Sequence, residues 1–285
     1  MTVLVLACVP VPAQTYRDAV VRLTAMAPDL SFPGEAKSLS AFSRPEMAIY
    51  KPPGGGPFPA LLILPSCGGL RAEILDWARR AVARGYVVFV IDQLSQRSLQ
   101  HACVAGSPAN HYRGAKDAFQ ALGHLKQFGF IDQERVGLLG FSWGAMVGLL
   151  ASSRTFAELH VAERRFAAVV GFYPLCHVDP MQGRPAVDFV RPDHDQPALI
   201  LMSEQDLEAP AADCVALLKP LADRGAPVQW HVYAGGTHCW DCSSLHNFSK
   251  LDFRGVRVTY QFDKALTEDS ARRAFEYLDP LLKPR

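Results

Sequence analysis

The chain has 285 residues, 49% of them hydrophobic and 20% charged, an ordinary globular composition with enough apolar mass for one large core or two small ones. Its formal charge of +1, without a lysine/arginine run, removes the electrostatic ground for expecting nucleic acid or an anionic membrane as partner. The longest uncharged stretch, Val136 to Ser153, approaches the length of a membrane span, but Ser142, Trp143 and several glycines inside it fit a buried strand, turn and helix better.

Residues 1–13 are apolar and end in small residues, with Val11-Pro12-Ala13 as a cleavage-like site; they read as a signal segment lacking its basic start, or else as a short apolar arm. Leu6-Ala7-Cys8 is a poor match to a lipoprotein site. Residues 14–285 then read as one domain. Gln14 to Met26 is helix-like and precedes a proline-rich stretch, and Met47 to Lys51 reads as a short strand. Lys51 to Pro57 is a turn, and Ala60 to Pro65 a buried strand followed by the loop Ser66-Cys67-Gly68-Gly69-Leu70. Ala72 to Arg84 is an amphipathic helix stopped by Gly85, and Tyr86 to Ile91 a strand ending at Asp92.

An irregular loop, Gln93 to Asn110, carries Arg97, His101 and Cys103, and Tyr112 to Phe128 is helical. The apolar run from Val136 then meets Gly140-Phe-Ser142-Trp-Gly144, and a small-residue helix follows from Ala145. Phe166 to Phe172, Ala198 to Met202 and Val228 to Tyr233 are further strands, Ala211 to Asp223 and Ala271 to Leu282 further helices. Strands and helices alternate at βαβ spacing, which predicts an α/β fold with a mainly parallel central sheet and helices on both faces.

Sites in such sheets form at the carboxyl ends of strands. Ser142, Asp206 and His238 each follow a predicted strand, in the order nucleophile, acid, histidine that marks an α/β-hydrolase. A serine on a sharp strand-to-helix turn projects its hydroxyl from the sheet, and that hydroxyl attacks only when a histidine takes its proton and a carboxylate orients the histidine. His231 and His246 are weaker candidates for the base; Glu204 is the nearest rival to Asp206, and Asp241 is placed to brace the histidine loop. Two N–H donors must hold the oxyanion. The elbow supplies that of Trp143, and the loop after the Ala60–Pro65 strand that of Cys67, with Gly68 and Gly69 admitting a substrate carbonyl. This is ester chemistry on a small molecule, and it requires no metal and no organic cofactor.

Of seven cysteines, Cys8 falls in the signal-like segment; the other six suit an oxidising compartment but allow about fifteen pairings. Cys239-Trp-Asp-Cys242 also admits a redox C-x-x-C reading, or a zinc site with His238 and His246, although no second matched pair is present. A binding protein that merely retains a hydrolase scaffold is the non-catalytic alternative, and an intact Ser/Asp/His set argues against it.

Cys67-Gly-Gly-Leu, Asp92 followed by Arg97, Gly140-Phe-Ser-Trp-Gly, Phe172-Tyr-Pro-Leu-Cys176 and His238-Cys-Trp-Asp241 together resemble the dienelactone hydrolase family of α/β-hydrolases, particularly its secreted members. The resemblance runs from about Ala60 to the C-terminus. It implies a lidless esterase-type site with Ser142 as nucleophile, Asp206 as acid and His238 as base. It further implies Cys67 paired with Cys103 and Cys176 with Cys214, leaving Cys239 and Cys242 as a local pair. Arg97 is then either a holder of a substrate carboxylate or the partner of Asp92 in a structural salt bridge. The chain departs from the archetypes by having serine where they have cysteine, which favours general carboxylesterase chemistry.

Overall fold

The computed structural model describes residues 13–39, 44–103, 107–160, 164–179 and 186–283. The signal-like segment up to residue 12, Cys8 included, lies outside them; Ala13 already belongs to the first helix. In chain order the elements are α1 (Ala13–Thr24), β1 (Ala36–Lys37), β2 (Ala48–Tyr50), β3 (Phe58–Leu64), α2 (Ala72–Ala83) and β4 (Val87–Val90). Then come α3 (His111–His124), β5 (Ile131–Phe141), α4 (Trp143–Ala151), α5 (Arg154–Leu159), β6 (Ala168–Phe172), β7 (His177–Val178) and β8 (Val187–Asp188). The last are β9 (Ala198–Ser203), α6 (Ala211–Asp223), β10 (Val228–Tyr233), β11 (Ser249–Leu251), β12 (Arg257–Thr259) and α7 (Lys264–Leu282).

Eight strands form the central sheet in the order β1-β2-β4-β3-β5-β6-β9-β10, and only the β2–β4 pairing is antiparallel. Alternation along a strand sends successive side chains to opposite faces, and here both faces are apolar. Leu62 and Leu64 of β3 and Leu138 of β5 join one core with residues of α3, α4 and α6. Leu61 and Ile63 of β3 and Leu139 and Phe141 of β5 join the other, with α2 and α7. A strand buried on both sides must be apolar at every position, which is why β3, β4, β6 and β9 stand out in the sequence as uninterrupted hydrophobic runs.

The register aligns the carboxyl ends of the strands. Leu64 pairs with Gly140, Gly140 with Gly171, Phe172 with Leu201, and Ser203 with Tyr233. The loops that follow β3, β5, β9 and β10 therefore emerge on one rim. Two antiparallel hairpins, β7–β8 and β11–β12, stand outside the main sheet. Neither is legible in the sequence, because strands of two or three residues carry no periodicity to detect. Helix α7 begins at Lys264, seven residues before its predicted start, with the Asp263 carboxylate accepting from the Leu266 N–H as its N-cap.

Three disulfides join Cys67 to Cys103, Cys176 to Cys214 and Cys239 to Cys242. Among the described residues no helix is long and apolar enough to cross a membrane.

Candidate active site

Ser142 sits between β5 and α4 with φ 49° and ψ −110°, a conformation that costs an L-residue roughly 1–3 kcal/mol and persists only where its surroundings impose it. The two flanking glycines are what permit the turn. A Cβ on Gly140 would lie 2.3 Å from the carbonyl oxygen of Gly144, and one on Gly144 would lie 2.2 Å from that of Leu64 at the end of β3. The Ser142 N–H donates to the Phe172 carbonyl at 2.9 Å, while its own carbonyl accepts from the Ala145 and Met146 N–H groups and starts α4. The strand, the turn and the helix are thus locked to the two neighbouring strands.

His238 is delivered by the loop after β10. Gly236 there has φ +93°, and the Ser203 hydroxyl at the end of β9 donates to the Gly235 carbonyl at 2.6 Å, tying the loop to the strand beside it. The buried imidazole places Nε2 2.9 Å from Ser142 Oγ and Nδ1 2.7 Å from Asp206 Oδ2. The other Asp206 oxygen accepts from the backbone N–H groups of Glu208 and Ala209 at 2.9 and 2.8 Å. Burial opposes a charged imidazolium, but the Asp206 and Glu208 carboxylates and the Asp206 hydrogen bond outweigh it and hold the pKa of His238 above the ordinary histidine range.

Aromatic and acidic side chains surround the His238 imidazole. The Tyr173 ring meets the His238 ring edge-on at 4.7 Å, and the Tyr260 ring lies 5.5 Å away on another side. Tyr173 donates to Asp241 at 2.6 Å, and the Trp77 indole N–H of α2 donates to the other Asp241 oxygen at 2.7 Å. Burial raises the pKa of Asp241 against the hydrogen bonds from Tyr173 and Trp77. Asp241 therefore pins the histidine loop to α2 and to the chain after β6. Glu208 takes a hydrogen bond from the Tyr260 hydroxyl at 2.6 Å and pairs with Lys250 at 2.8 Å. Tyr260 and Glu208 were not singled out from the sequence. They stand 52 residues apart, and nothing local to either marks the contact.

Cys67 lies in a tight turn closed by the Gly69 N–H donating to Ser66 at 3.0 Å. Gly69 serves the turn itself, with φ +76° and the Leu94 side chain 3.0 Å from where a Cβ would stand. The same direction at Gly68 meets the Arg71 guanidinium at 3.3 Å. The disulfide to Cys103 and the 2.7 Å hydrogen bond from the Ala102 N–H to the Cys67 carbonyl fasten this loop to the one after β4. Because Gly144 abuts both Leu64 and Pro65, the start of α4 and the start of the Cys67 loop face each other. Neither the Cys67 nor the Trp143 N–H has a backbone acceptor among the described residues outside its own element.

Arg97 differs from both of its expected roles. Its side chain is buried and makes a two-pronged ion pair with Asp117 of α3 at 2.7 and 2.8 Å, and it donates further to the Pro28 and Gln93 carbonyls. Arg113 holds the same carboxylate from one helical turn earlier. No donor is left to meet a substrate. Asp92 instead caps the following turn through the Leu94 and Ser95 N–H groups. No local signal marks this partner, since Arg113 and Asp117 at i, i+4 already form a balanced pair on their own helix and Arg97 lies 20 residues away from Asp117.

The zinc reading of Cys239 and Cys242 does not survive either. Their sulfurs are bonded to each other, both nitrogens of His238 are engaged by Asp206 and Ser142, and His246 is exposed, with Nδ1 accepting from the Phe262 N–H. Glu73 lies near the two sulfurs, but a disulfide offers no thiolate to a cation.

The dienelactone hydrolase family model matches residues 46–282. The chain belongs to the dienelactone hydrolase family. Its fold is that of the α/β-hydrolases, shared with a propionate-bound thermophilic esterase from the planctomycete Thermogutta terrifontis (16% identity, 84% of this chain and 91% of that one, TM-score 0.62). It is shared too with a dienelactone hydrolase-like promiscuous phosphotriesterase from metagenomic libraries (18% identity, 81% and 89%, TM-score 0.59). A third similar structure is an α/β-hydrolase enzyme from a Medee basin deep-sea metagenome (20% identity, 79% and 85%, TM-score 0.57). No relative among the curated proteins matches the chain. Within this family member the matched region contains Ser142, Asp206 and His238 and all six disulfide cysteines.

Proposed function

We propose that the protein is a serine-dependent carboxylic ester hydrolase working through an acyl-enzyme. The observation that carries this reading is the unbroken chain of hydrogen bonds from Ser142 Oγ to His238 to Asp206, at 2.9 and 2.7 Å, on a strained elbow at the sheet rim. His238 Nε2 takes the hydroxyl proton as Ser142 attacks the ester carbonyl carbon, and Asp206 holds the imidazole in the tautomer that leaves Nε2 free. The negative oxygen of the tetrahedral intermediate is received by the N–H groups of Trp143 and Cys67. His238 then gives its proton to the departing alcohol, the carbonyl reforms as Ser142 ester, and a water activated by the same histidine releases the acid.

Serine rather than cysteine at the elbow makes the base indispensable, because an alcohol stays protonated at neutral pH where a thiol is partly ionised. The raised pKa of His238 suits a group that must carry a proton from one oxygen to another. The three disulfides support an oxidising compartment, periplasmic or secreted, and the segment before residue 14 fits a signal. We take residues 14–285 as one domain.

The test is covalent. A fluorophosphonate probe should label the wild-type protein on Ser142, as paraoxon phosphorylates the related Thermogutta esterase, and hydrolysis of a 4-nitrophenyl acetate panel should stop with the labelling. Unchanged labelling in Ser142→Ala rejects the assignment.

A further inference from the structure

A guanidinium carries several N–H donors and a permanent charge, so one taken partly out of water is expected to find acceptors. Arg22, Arg44, Arg224 and Arg257 have no side-chain hydrogen bond or ion pair among the described residues, but all four are exposed to solvent. Arg71 has none either, and it is partly buried. Its position is also unfavourable for a helix. Arg71 is the N-cap of α2, where a cation opposes the helix dipole, and its side chain makes no capping bond. Glu73, the acid of the first turn, takes its hydrogen bond from Ser244 instead. Nothing that Arg71 does for α2 accounts for it.

The guanidinium lies against the loop that begins the helix. Its Nε and Nη2 each stand 3.3 Å from where a Cβ on Gly68 would be, so the missing side chain of Gly68 lets the charge close on the loop. The residue before Gly68 is Cys67, whose N–H receives the oxyanion in the proposed mechanism. That loop is fixed by the Cys67–Cys103 bridge and by the Gly69 to Ser66 hydrogen bond, so the charge rests on a held backbone. The charge is also felt at Tyr260, where it works against the burial and the Glu208 carboxylate that raise the pKa of that hydroxyl. The Tyr260 ring lies 5.5 Å from His238, which places Arg71 at the rim between the Cys67 loop and the histidine. Lys250, the other cation at Tyr260, is taken up by Glu208.

Resting on the esterase reading, we propose that Arg71 supplies a standing positive charge to the oxyanion loop. It favours the negative oxygen of the tetrahedral intermediate over the neutral carbonyl of the bound ester. The charge is in place before the reaction, and a rim partly shielded from water screens it less than bulk solvent does. No bond forms or breaks at Arg71. Acylation and deacylation both pass through an anionic intermediate, so the effect falls on kcat and leaves KM in place.

The test compares wild type, Arg71→Gln and Arg71→Lys on a neutral ester, 4-nitrophenyl acetate, and on an anionic one, 4-nitrophenyl hemisuccinate, with melting temperature read on each protein. Arg71→Gln should lower kcat about tenfold on both esters with KM nearly unchanged, less than the loss of a donor that touches the oxyanion. Arg71→Lys keeps the charge and should recover most of the rate. Melting temperature should not fall, because no hydrogen bond or ion pair is removed. An alkylboronic acid is neutral in solution and becomes anionic when Ser142 Oγ bonds its boron and the proton passes to His238. Its affinity should drop in Arg71→Gln by about the same factor as kcat. Unchanged kcat in Arg71→Gln overturns the proposal and leaves the esterase reading intact. A loss confined to KM on the anionic ester overturns it too, since Arg71 would then hold a substrate anion. So does a lowered melting temperature with the rate lost equally in Arg71→Lys, which is the mark of a structural residue. A wild type that turns over neither ester and takes no fluorophosphonate on Ser142 removes the esterase reading, and this proposal with it.

Discussion

Tyr173 donates its hydroxyl to Asp241 at 2.6 Å while its ring edge meets His238 at 4.7 Å, so one side chain links a buried carboxylate to the candidate base. Asp241→Ala leaves the Tyr173 hydroxyl and the Trp77 N–H, both on buried residues, without their acceptor. We expect a loss of stability of about 1–3 kcal/mol and a fall in kcat larger than any change in KM, because the histidine loop loses its tether. Chemical denaturation and steady-state kinetics on the same preparation check both, and full stability with full kcat removes the tether.

Ser142→Ala and His238→Ala should each lower kcat by about four to six powers of ten, and the double variant should be scarcely worse than either. Groups that act on one proton are not additive. Two independent losses that multiply in the double variant would mean that the two side chains do not work together.

In the proposed mechanism His238 must be neutral to accept the serine proton, so kcat/KM should rise with pH through its pKa. The Asp206 and Glu208 carboxylates hold that pKa above the usual histidine range, which sets the acid limb above about 6.5. Glu208→Gln removes one of the two negative charges and should move the limb to lower pH. A limb that stays put, or moves upward, contradicts the electrostatic role of Glu208.

Arg97→Ala should destabilise the fold by about 3–5 kcal/mol, since Asp117 remains buried beside Arg113 with half its ion pair gone. The ratio of turnover between anionic and neutral esters should not change. A selective loss on anionic esters, with stability intact, would return Arg97 to the substrate.

Breaking Cys67–Cys103 by a double serine substitution frees a loop of 36 residues, worth about 3–4 kcal/mol by chain entropy. Activity should fall in the folded protein as well, because the bridge fixes the loop that offers the Cys67 N–H. Melting temperature and kcat, read together, separate the two effects.

Much of this protein was legible before any coordinates. Ser142 is determined locally, since two glycines, a buried strand and a helix within eleven residues leave the chain one way to turn. The parallel sheet was equally plain, because strands covered on both faces must be apolar throughout. His238 and Asp206 were reachable from order and position, as loops after adjacent parallel strands share a rim. The cysteine pairing came from family likeness, as spacing alone left it open.

Tertiary structure alone decided the rest. Arg97 turned inward to Asp117 instead of toward Asp92 or a ligand because a buried charge takes the partner that packing supplies, wherever that partner lies in sequence. Glu208 and Tyr260, and the hairpin β11–β12, depend on side chains meeting across some fifty positions, and on strands too short to leave a period. Local sequence dictates how the backbone turns and which face is apolar. Which charges and rings meet around His238 is set by the closing of the whole chain.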